Sequence, residues 1–292
     1  MRDPKGLIIA NAYAPTLETR QILRMREELE ARGARMTVMR NDITYSAITN
    51  GNVDVTADFD FCLYLDKDKY VSHALEKRGV RLFNSAAAIE ACDDKMTTHI
   101  LLSDSGIAMP DTLAAPLCYY PEAPVDARAL DAAEKALGYP MVVKLVYGSM
   151  GKSVFKVDDR AELDALAEKL KLYPHLFQRY IARSHGRDMR VIVVGARVLG
   201  GIIRRSNGDF RSNVGLGGTA TACDVPDGVR DTAVAAARIL GLDYCGIDFL
   251  LDDTPLLCEV NSNAFFDAFE QATRINVAGA YAEHIIKTVK RG

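Results

Sequence analysis

Over the first 85 residues, short apolar runs alternate with segments of helical period. Residues 6–12 are a continuous apolar run, the mark of a buried strand. Across 16–32, Leu17, Ile22, Met25 and Leu29 recur near helical spacing, and Gly33 stands where a C-cap belongs. Residues 36–39 and 61–65 read as further strands, followed by a helix over 71–78 and a strand over 80–83. This alternation predicts βαβ units and therefore a small parallel sheet flanked by helices. The first strand runs into NAYAPTLET rather than GxGxxG, so no dinucleotide fingerprint follows it.

Beyond residue 85 the rhythm changes. Two short helices are predicted over 85–105, around Asp93, Asp94 and Lys95. Residues 114–124 read as a loop, 126–137 as a helix closed by Gly138, and 141–146 and 154–157 as strands joined by a glycine-containing turn. A helix over 160–170 and a strand over 176–181 follow. Strands over 191–194 and 197–203 flank Gly195 and Ala196, a two-residue hairpin signal. A helix over 226–240 leads into a second hairpin, 244–251 with 256–261, and one final helix fills most of 266–289. The expected fold class is an α/β N-terminal domain with a small parallel sheet, then an α+β domain with antiparallel sheets.

Composition narrows the class. The 292 residues suit about two domains at roughly 150 residues each. Lys and Arg total 36 against 39 Asp and Glu, a net charge of -3, which argues against nucleic acid as a partner. No run of about 18 apolar residues occurs, so no membrane association is expected, and the N-terminal apolar run is too short for a signal peptide. Cysteines 62, 92, 118, 223, 245 and 258 show no CxxC spacing and mostly sit in apolar runs. They read as reduced core residues of a cytoplasmic protein.

Three segments carry candidate chemistry. In GIDFLLDDTPLLCEVNSN, a hairpin closing in simple register sets Leu251 opposite Leu256 and Asp248 opposite Glu259. Asp248, Glu259 and Asn261 then share one patch, where two like charges call for a cation between them. Oxygen donors favour magnesium or manganese over zinc; a solvated sheet face or a local arginine pair is the alternative. In MVVKLVYGSMGKSVFKV, Lys144 lies within an apolar strand and needs a partner for its ammonium, with phosphate and a snorkelling edge-strand position both open. Gly148 and Gly151 suit a flap whose N–H groups cover phosphates. The GKS string is no P-loop, because Val146 stands where the first glycine is required and a strand follows. In RDMRVIVVGARVLGGIIRRSNGDFRSN, Arg190 and Arg204 can share a face near Asp188, and clustered guanidinium groups suit a carboxylate or a transferring phosphoryl group. Histidines 73, 99, 175, 185 and 284 are scattered and read as surface or packing residues.

DDK at 93–95, PMVVKLVYGSMGKSV, LFQRYI, DMRVIVVG, GDFRSN, GIDFL and EVN, in this order, resemble the ATP-grasp ligases and most closely the RimK-type glutamate ligases. The resemblance runs from about residue 84 to the end. It implies a preATP-grasp domain over 1–84 and an ATP-grasp domain over 85–292, with a lid subdomain at about 110–181 and a C-terminal subdomain at about 182–292. It further implies that Lys95, Lys144, Gly148, Gly151, Arg179, Tyr180, Asp188, Arg211, Ser212 and Asn213 contact ATP, the adenine through the backbone at 179–181. Lys144 and Arg211 would neutralise the transferring group. Asp248, Glu259 and Asn261 would hold magnesium, two ions with manganese as a substitute, and Arg190 and Arg204 would face the substrate carboxylate.

The implied reaction is ATP-dependent ligation of an amine, glutamate foremost, to a carboxylate acceptor that is a peptide, a protein tail or a small molecule. A phosphotransferase and a catalytically silent nucleotide-binding protein are the alternatives, and a homo-oligomer stays open. The chain departs from the family in four places. Ser262, Asn263, Ala264, Phe265 and Phe266 replace a small residue, Pro and Gly after EVN; Arg179 and Tyr147 stand where acidic residues are common; Lys152 adds a charge to the lid.

Overall fold

The computed structural model describes residues 2–41, 46–55, 58–148, 151–212 and 218–291. The first unit runs β1 (Lys5–Ala10), α1 (Arg20–Glu30), β2 (Arg35–Arg40), a small hairpin of β3 (Ile48–Thr49) and β4 (Asn52–Val53), β5 (Phe61–Leu65), α2 (Lys69–Lys77) and β6 (Arg81–Phe83). Strands β2-β1-β5-β6 form a four-stranded sheet, parallel at every pairing, as the apolar rhythm predicts. Helix α1 starts at Arg20, later than the expected 16, because Thr19 caps it and accepts a hydrogen bond from the Ile22 amide at 3.4 Å. The β3–β4 hairpin is too short to leave a periodic pattern.

Two helices bridge to the rest, α3 (Ala86–Asp93), capped by Ser85, and α4 (Lys95–Leu102), capped by Asp94. The second sheet follows: β7 (Thr112–Ala114), α5 (Ala127–Leu137), β8 (Met141–Leu145), β9 (Val154–Val157), α6 (Arg160–Leu170) and β10 (His175–Arg179). Its order is β7-β10-β8-β9, antiparallel throughout. Strand β7, three residues pairing at an edge, is not among the expected strands and ends at Ala114, the first residue of the expected loop.

The third sheet comprises β11 (Arg187–Val194), β12 (Arg197–Arg205), β13 (Thr219–Cys223), then α7 (Asp227–Ile239), β14 (Tyr244–Leu250) and β15 (Leu256–Asn261). Its order is β13-β12-β11-β14-β15, again antiparallel. Strand β11 begins four residues before the expected 191, since the charged Arg187, Asp188 and Arg190 belong to the ladder. Strand β13, TATAC, lacks the apolar signal of a strand and pairs only along β12.

The single helix expected over 266–289 is two, α8 (Asp267–Thr273) and α9 (Val277–Val289). Arg274 takes a left-handed conformation, φ 62°, which ends α8. Glu270 Oε1 accepts hydrogen bonds from the amides of Val277 (2.9 Å) and Ala278 (3.2 Å), so a side chain from α8 caps α9.

Packing sorts the sheets into two bodies. One core cluster joins Ile8, Phe61, Leu63 and Phe83 of the first sheet to Ile192, Val194 and Tyr244 of the third, with Tyr281 and Ile285 of α9 between. It continues across residue 84 without a break. Asn84, buried there, donates to the carbonyls of Tyr244 and Ser262, both at 2.8 Å, and accepts from the amides of Asp243 (2.6 Å) and Tyr244 (3.0 Å). The second sheet has its own core, where Leu130, Ala133, Leu163 and Ala167 of its helices cover Val143 and Phe177.

Candidate active site

A cavity of about 600 Å³ draws its lining from all three sheets. Lys67, Lys95, Lys144, Arg187, Arg190, Arg204 and Arg211 line it, against Asp66, Asp93, Asp188, Asp248 and Glu259. Seven cations line it against five carboxylates, a local excess of positive charge in a chain of net negative charge. A smaller cavity of about 220 Å³ beneath residues 115–125 holds none of the predicted groups.

The C-terminal hairpin supplies one wall. Asp248 pairs with Glu259 as the spacing predicts, but Leu250, not Leu251, faces Leu256. The connection is one residue longer than expected, and a bulge between Asp248 and Phe249 on this ladder absorbs the difference. The predicted oxygen patch therefore forms despite the altered register near the loop. Asn261 Nδ2 lies 3.5 Å from Asp248 Oδ2.

The expected cation beside Asp248 is found as arginine. Arg190 grips it with Nε at 2.6 Å and Nη2 at 2.7 Å, and Arg204 Nη2 adds a contact at 2.9 Å. Burial by itself would raise the Asp248 carboxyl, but the charges and hydrogen bonds of the two arginines outweigh it and hold its pKa below the ordinary value. Arg204 also binds Asp188 in a bidentate pair, which Ser212 Oγ joins. For Asp188 burial prevails over Arg204, and the nearby Asp248 charge adds to it, so its carboxyl is raised. The arginines expected near Asp188 thus do share a face, bound to carboxylates of their own sheet.

Glu259 is freer. Its side chain is 32% exposed, and its ion pair, with Lys95, spans 3.7 Å. Lys95 Nζ also donates to the Gly148 carbonyl at 2.8 Å. Among the described residues no three His, Cys, Asp or Glu side chains gather as a metal cluster. The donors here are two carboxylates and one amide, and such hard oxygen ligands fit magnesium.

The second sheet contributes the opposite wall. Lys144 is buried in β8 and donates to Gln178 Oε1 at 2.7 Å and to Cys258 Sγ at 3.3 Å. Among the described residues no carboxylate pairs with it. Gly148 (φ 137°) and Gly151 (φ 70°) both hold backbone angles that side chains resist. The Gly151 carbonyl accepts from Arg211 Nη1 at 2.5 Å, while Asp209 grips the same guanidinium through Nε (3.0 Å) and Nη2 (2.6 Å). Tyr180 lines the cavity, its hydroxyl bonded to His185 Nδ1 at 2.5 Å.

Two expected contacts fare differently. The Arg179 side chain turns away, bonded to Asp111 (2.9 Å) and to the carbonyls of Ala136 and Leu137. Asn213 lies outside the described residues.

Several cavity residues escaped the sequence reading. Gln178, which orients Lys144, is one polar position in the apolar strand LFQRYI, a signal comparable to that of Lys144 itself. Lys67 pairs with Asp93 across the mouth. Asn11 and Asp66 sit just past β1 and β5, where ligands collect at the carboxyl ends of parallel strands.

The chain matches the family model described as a RimK-like ATP-grasp domain over residues 92–285. It is 39% identical over 223 residues to N-acetylaspartylglutamate synthase A of Homo sapiens, covering 75% of this chain and 56% of that protein. It is 34% identical over 226 residues to a probable alpha-L-glutamate ligase of Maridesulfovibrio salexigens, covering 76% and 72%. The chain thus spans little more than half the length of the human relative. In fold it superposes on the ATP-grasp ligase PsnB complexed with minimal precursor, with a TM-score of 0.71, 21% identity and 98% of each chain covered. Among the described residues no helix is long and apolar enough to cross a membrane.

Proposed function

The chain belongs to the RimK-like ATP-grasp family, and from that premise we propose that it is an ATP-dependent ligase joining the amine of glutamate to a carboxylate acceptor. The observation that carries this reading is Lys144, a buried ammonium with no carboxylate partner among the described residues, beside an all-oxygen donor set in one cavity. A buried charge without a counter-ion calls for an anion, and a phosphate of ATP supplies it.

Two bonds form in sequence. An acceptor carboxylate oxygen attacks the γ-phosphorus of ATP in line, and the bond to the bridging oxygen breaks, releasing ADP. The glutamate nitrogen then adds to the acyl phosphate carbon, phosphate leaves with the C–O bond, and the nitrogen sheds a proton as the amide forms. No side-chain nucleophile is needed, so the protein's contribution is placement and charge neutralisation. Lys95, Lys144 and Arg211 face the phosphates, with Tyr180 and Ser212 further along the nucleotide. Arg190 and Arg204 face the acceptor carboxylate. Gly148 and Gly151 line the same cavity, where exclusion of water protects the acyl phosphate.

Asp248, Glu259 and Asn261 would hold divalent ions, two magnesium ions with manganese as a substitute. Bound there, such ions offset charge on the phosphate oxygens. The free cysteines fit a reducing, cytoplasmic setting.

ADP release from Mg-ATP, followed with single amino acids against a panel of carboxylates, tests the reading. A rise that requires glutamate is expected. Release without any amine would assign a phosphotransferase instead, and nucleotide binding without release a silent binding protein.

A further inference from the structure

Asp66 is the odd carboxylate of the cavity. The other four, Asp93, Asp188, Asp248 and Glu259, each have a lysine or arginine within 4 Å. Asp66 is only 8% exposed, yet among the described residues it has no ion pair. Neutral amides hold it instead. Oδ1 accepts from Asn11 Nδ2 at 3.1 Å and from the Lys67 amide at 2.7 Å, and Oδ2 accepts from Asn41 Nδ2. These donors follow β1, β5 and β2, so the carboxylate is fixed at the carboxyl edge of the parallel sheet.

A carboxylate offers about four lone-pair sites, and among the described residues three are filled by groups that orient the charge without cancelling it. A charge kept out of water and left without a cation is costly unless a ligand completes it.

We propose that Asp66 anchors a primary ammonium of the acceptor, so that the molecule whose carboxylate is activated is an amino acid or peptide with a free amino group. This rests on the ligase reading above. The anchored amine is not the one that attacks, because an adjacent carboxylate favours the protonated form of an amine, whereas the nucleophile must be neutral. The acceptor then spans the cavity, with its ammonium at Asp66 and its carboxylate toward Arg190 and Arg204. The anchored ammonium keeps its protons throughout and takes no part in bond formation.

The test is calorimetric titration of the full chain, loaded with Mg-AMPPNP, using unblocked dipeptides ending in Glu, Asp or Ala and their N-acetyl counterparts. The unblocked member of at least one pair should bind about tenfold tighter or more, the worth of one charge-assisted hydrogen bond. Asp66→Asn should bring the two members within about twofold while still binding Mg-AMPPNP, which also shows that the variant folds. Equal or tighter binding of the acetylated members, no binding by any pair, or a preference that survives Asp66→Asn overturns the proposal. The wild-type comparison needs no variant. ADP release with glutamate, run in parallel, keeps the two readings apart. Preference without turnover removes the ligase and leaves the ammonium site; turnover on acetylated acceptors does the reverse.

Discussion

Replacing Glu259 with Gln separates the proposed metal site from the fold. Its carboxylate is about one-third exposed, and its ion pair with Lys95 is long at 3.7 Å. A pair of that kind contributes at most about 1 kcal/mol, and Lys95 keeps its bond to the Gly148 carbonyl. Stability should therefore change by less than about 1 kcal/mol in urea unfolding without metal. Turnover is another matter, since losing one preorganised electrostatic group at a phosphoryl site costs about 10²-fold to 10³-fold. Asp248→Asn is the contrast. That carboxylate is buried, and removing its charge leaves Arg190 with no carboxylate partner among the described residues, a loss of about 3–5 kcal/mol. Both variants should raise the magnesium concentration needed for ADP release, and only the second should lower the urea midpoint substantially. Wild-type magnesium dependence in Glu259→Gln would refute the assignment of the hairpin as the metal site.

Lys144→Met removes a buried charge that lacks a carboxylate, so unliganded stability should hold or rise while turnover falls about 10²-fold and stabilisation by Mg-ATP in thermal melts disappears. Burial, helped by the charge of Lys144 and opposed by the hydrogen bond to the Cys258 carbonyl, lowers the His99 pKa. The folded protein then favours neutral His99, so this contribution is complete above the unfolded value of about 6.5 and is lost as pH falls through it, by at most about 1.4 kcal/mol per pH unit. His99→Gln should flatten the fall in urea stability between about pH 6.5 and 5, and an unchanged slope would exclude His99 as its source. Asn84→Ala strips hydrogen bonds from buried backbone groups of Tyr244 and its neighbours, which should cost about 2–4 kcal/mol in urea unfolding.

The parallel sheet and both antiparallel hairpins are legible in the sequence because their apolar runs are long and bounded by turn residues. Strands β7 and β13 are not, since edge strands such as TATAC borrow their definition from the neighbour they pair with. The break between α8 and α9 is hidden for a related reason. It depends on Arg274 adopting a left-handed angle and on Glu270 reaching the next helix, and neither alters the apolar period. Of the site, Asp248 opposite Glu259 followed from strand alternation, although the bulge that permits it did not. Asp66 stands out only because no cation lies beside it among the described residues, and a sequence displays residues but not their lack of neighbours.

The Asn84 clamp and the core shared by the first and third sheets have a mechanical consequence. Asp66 projects from one of these sheets and Arg190 from the other, and both belong to the body that Asn84 fastens together. The second sheet has a separate core and meets that body through polar contacts, among them Lys95 Nζ to the Gly148 carbonyl and Lys144 Nζ to Cys258 Sγ. On the proposal above, the gap between the two anchor points is therefore set within one body. On the same proposal the cavity is a gauge of length: an acceptor of the right span bridges both groups, and a shorter or longer one meets only one of them.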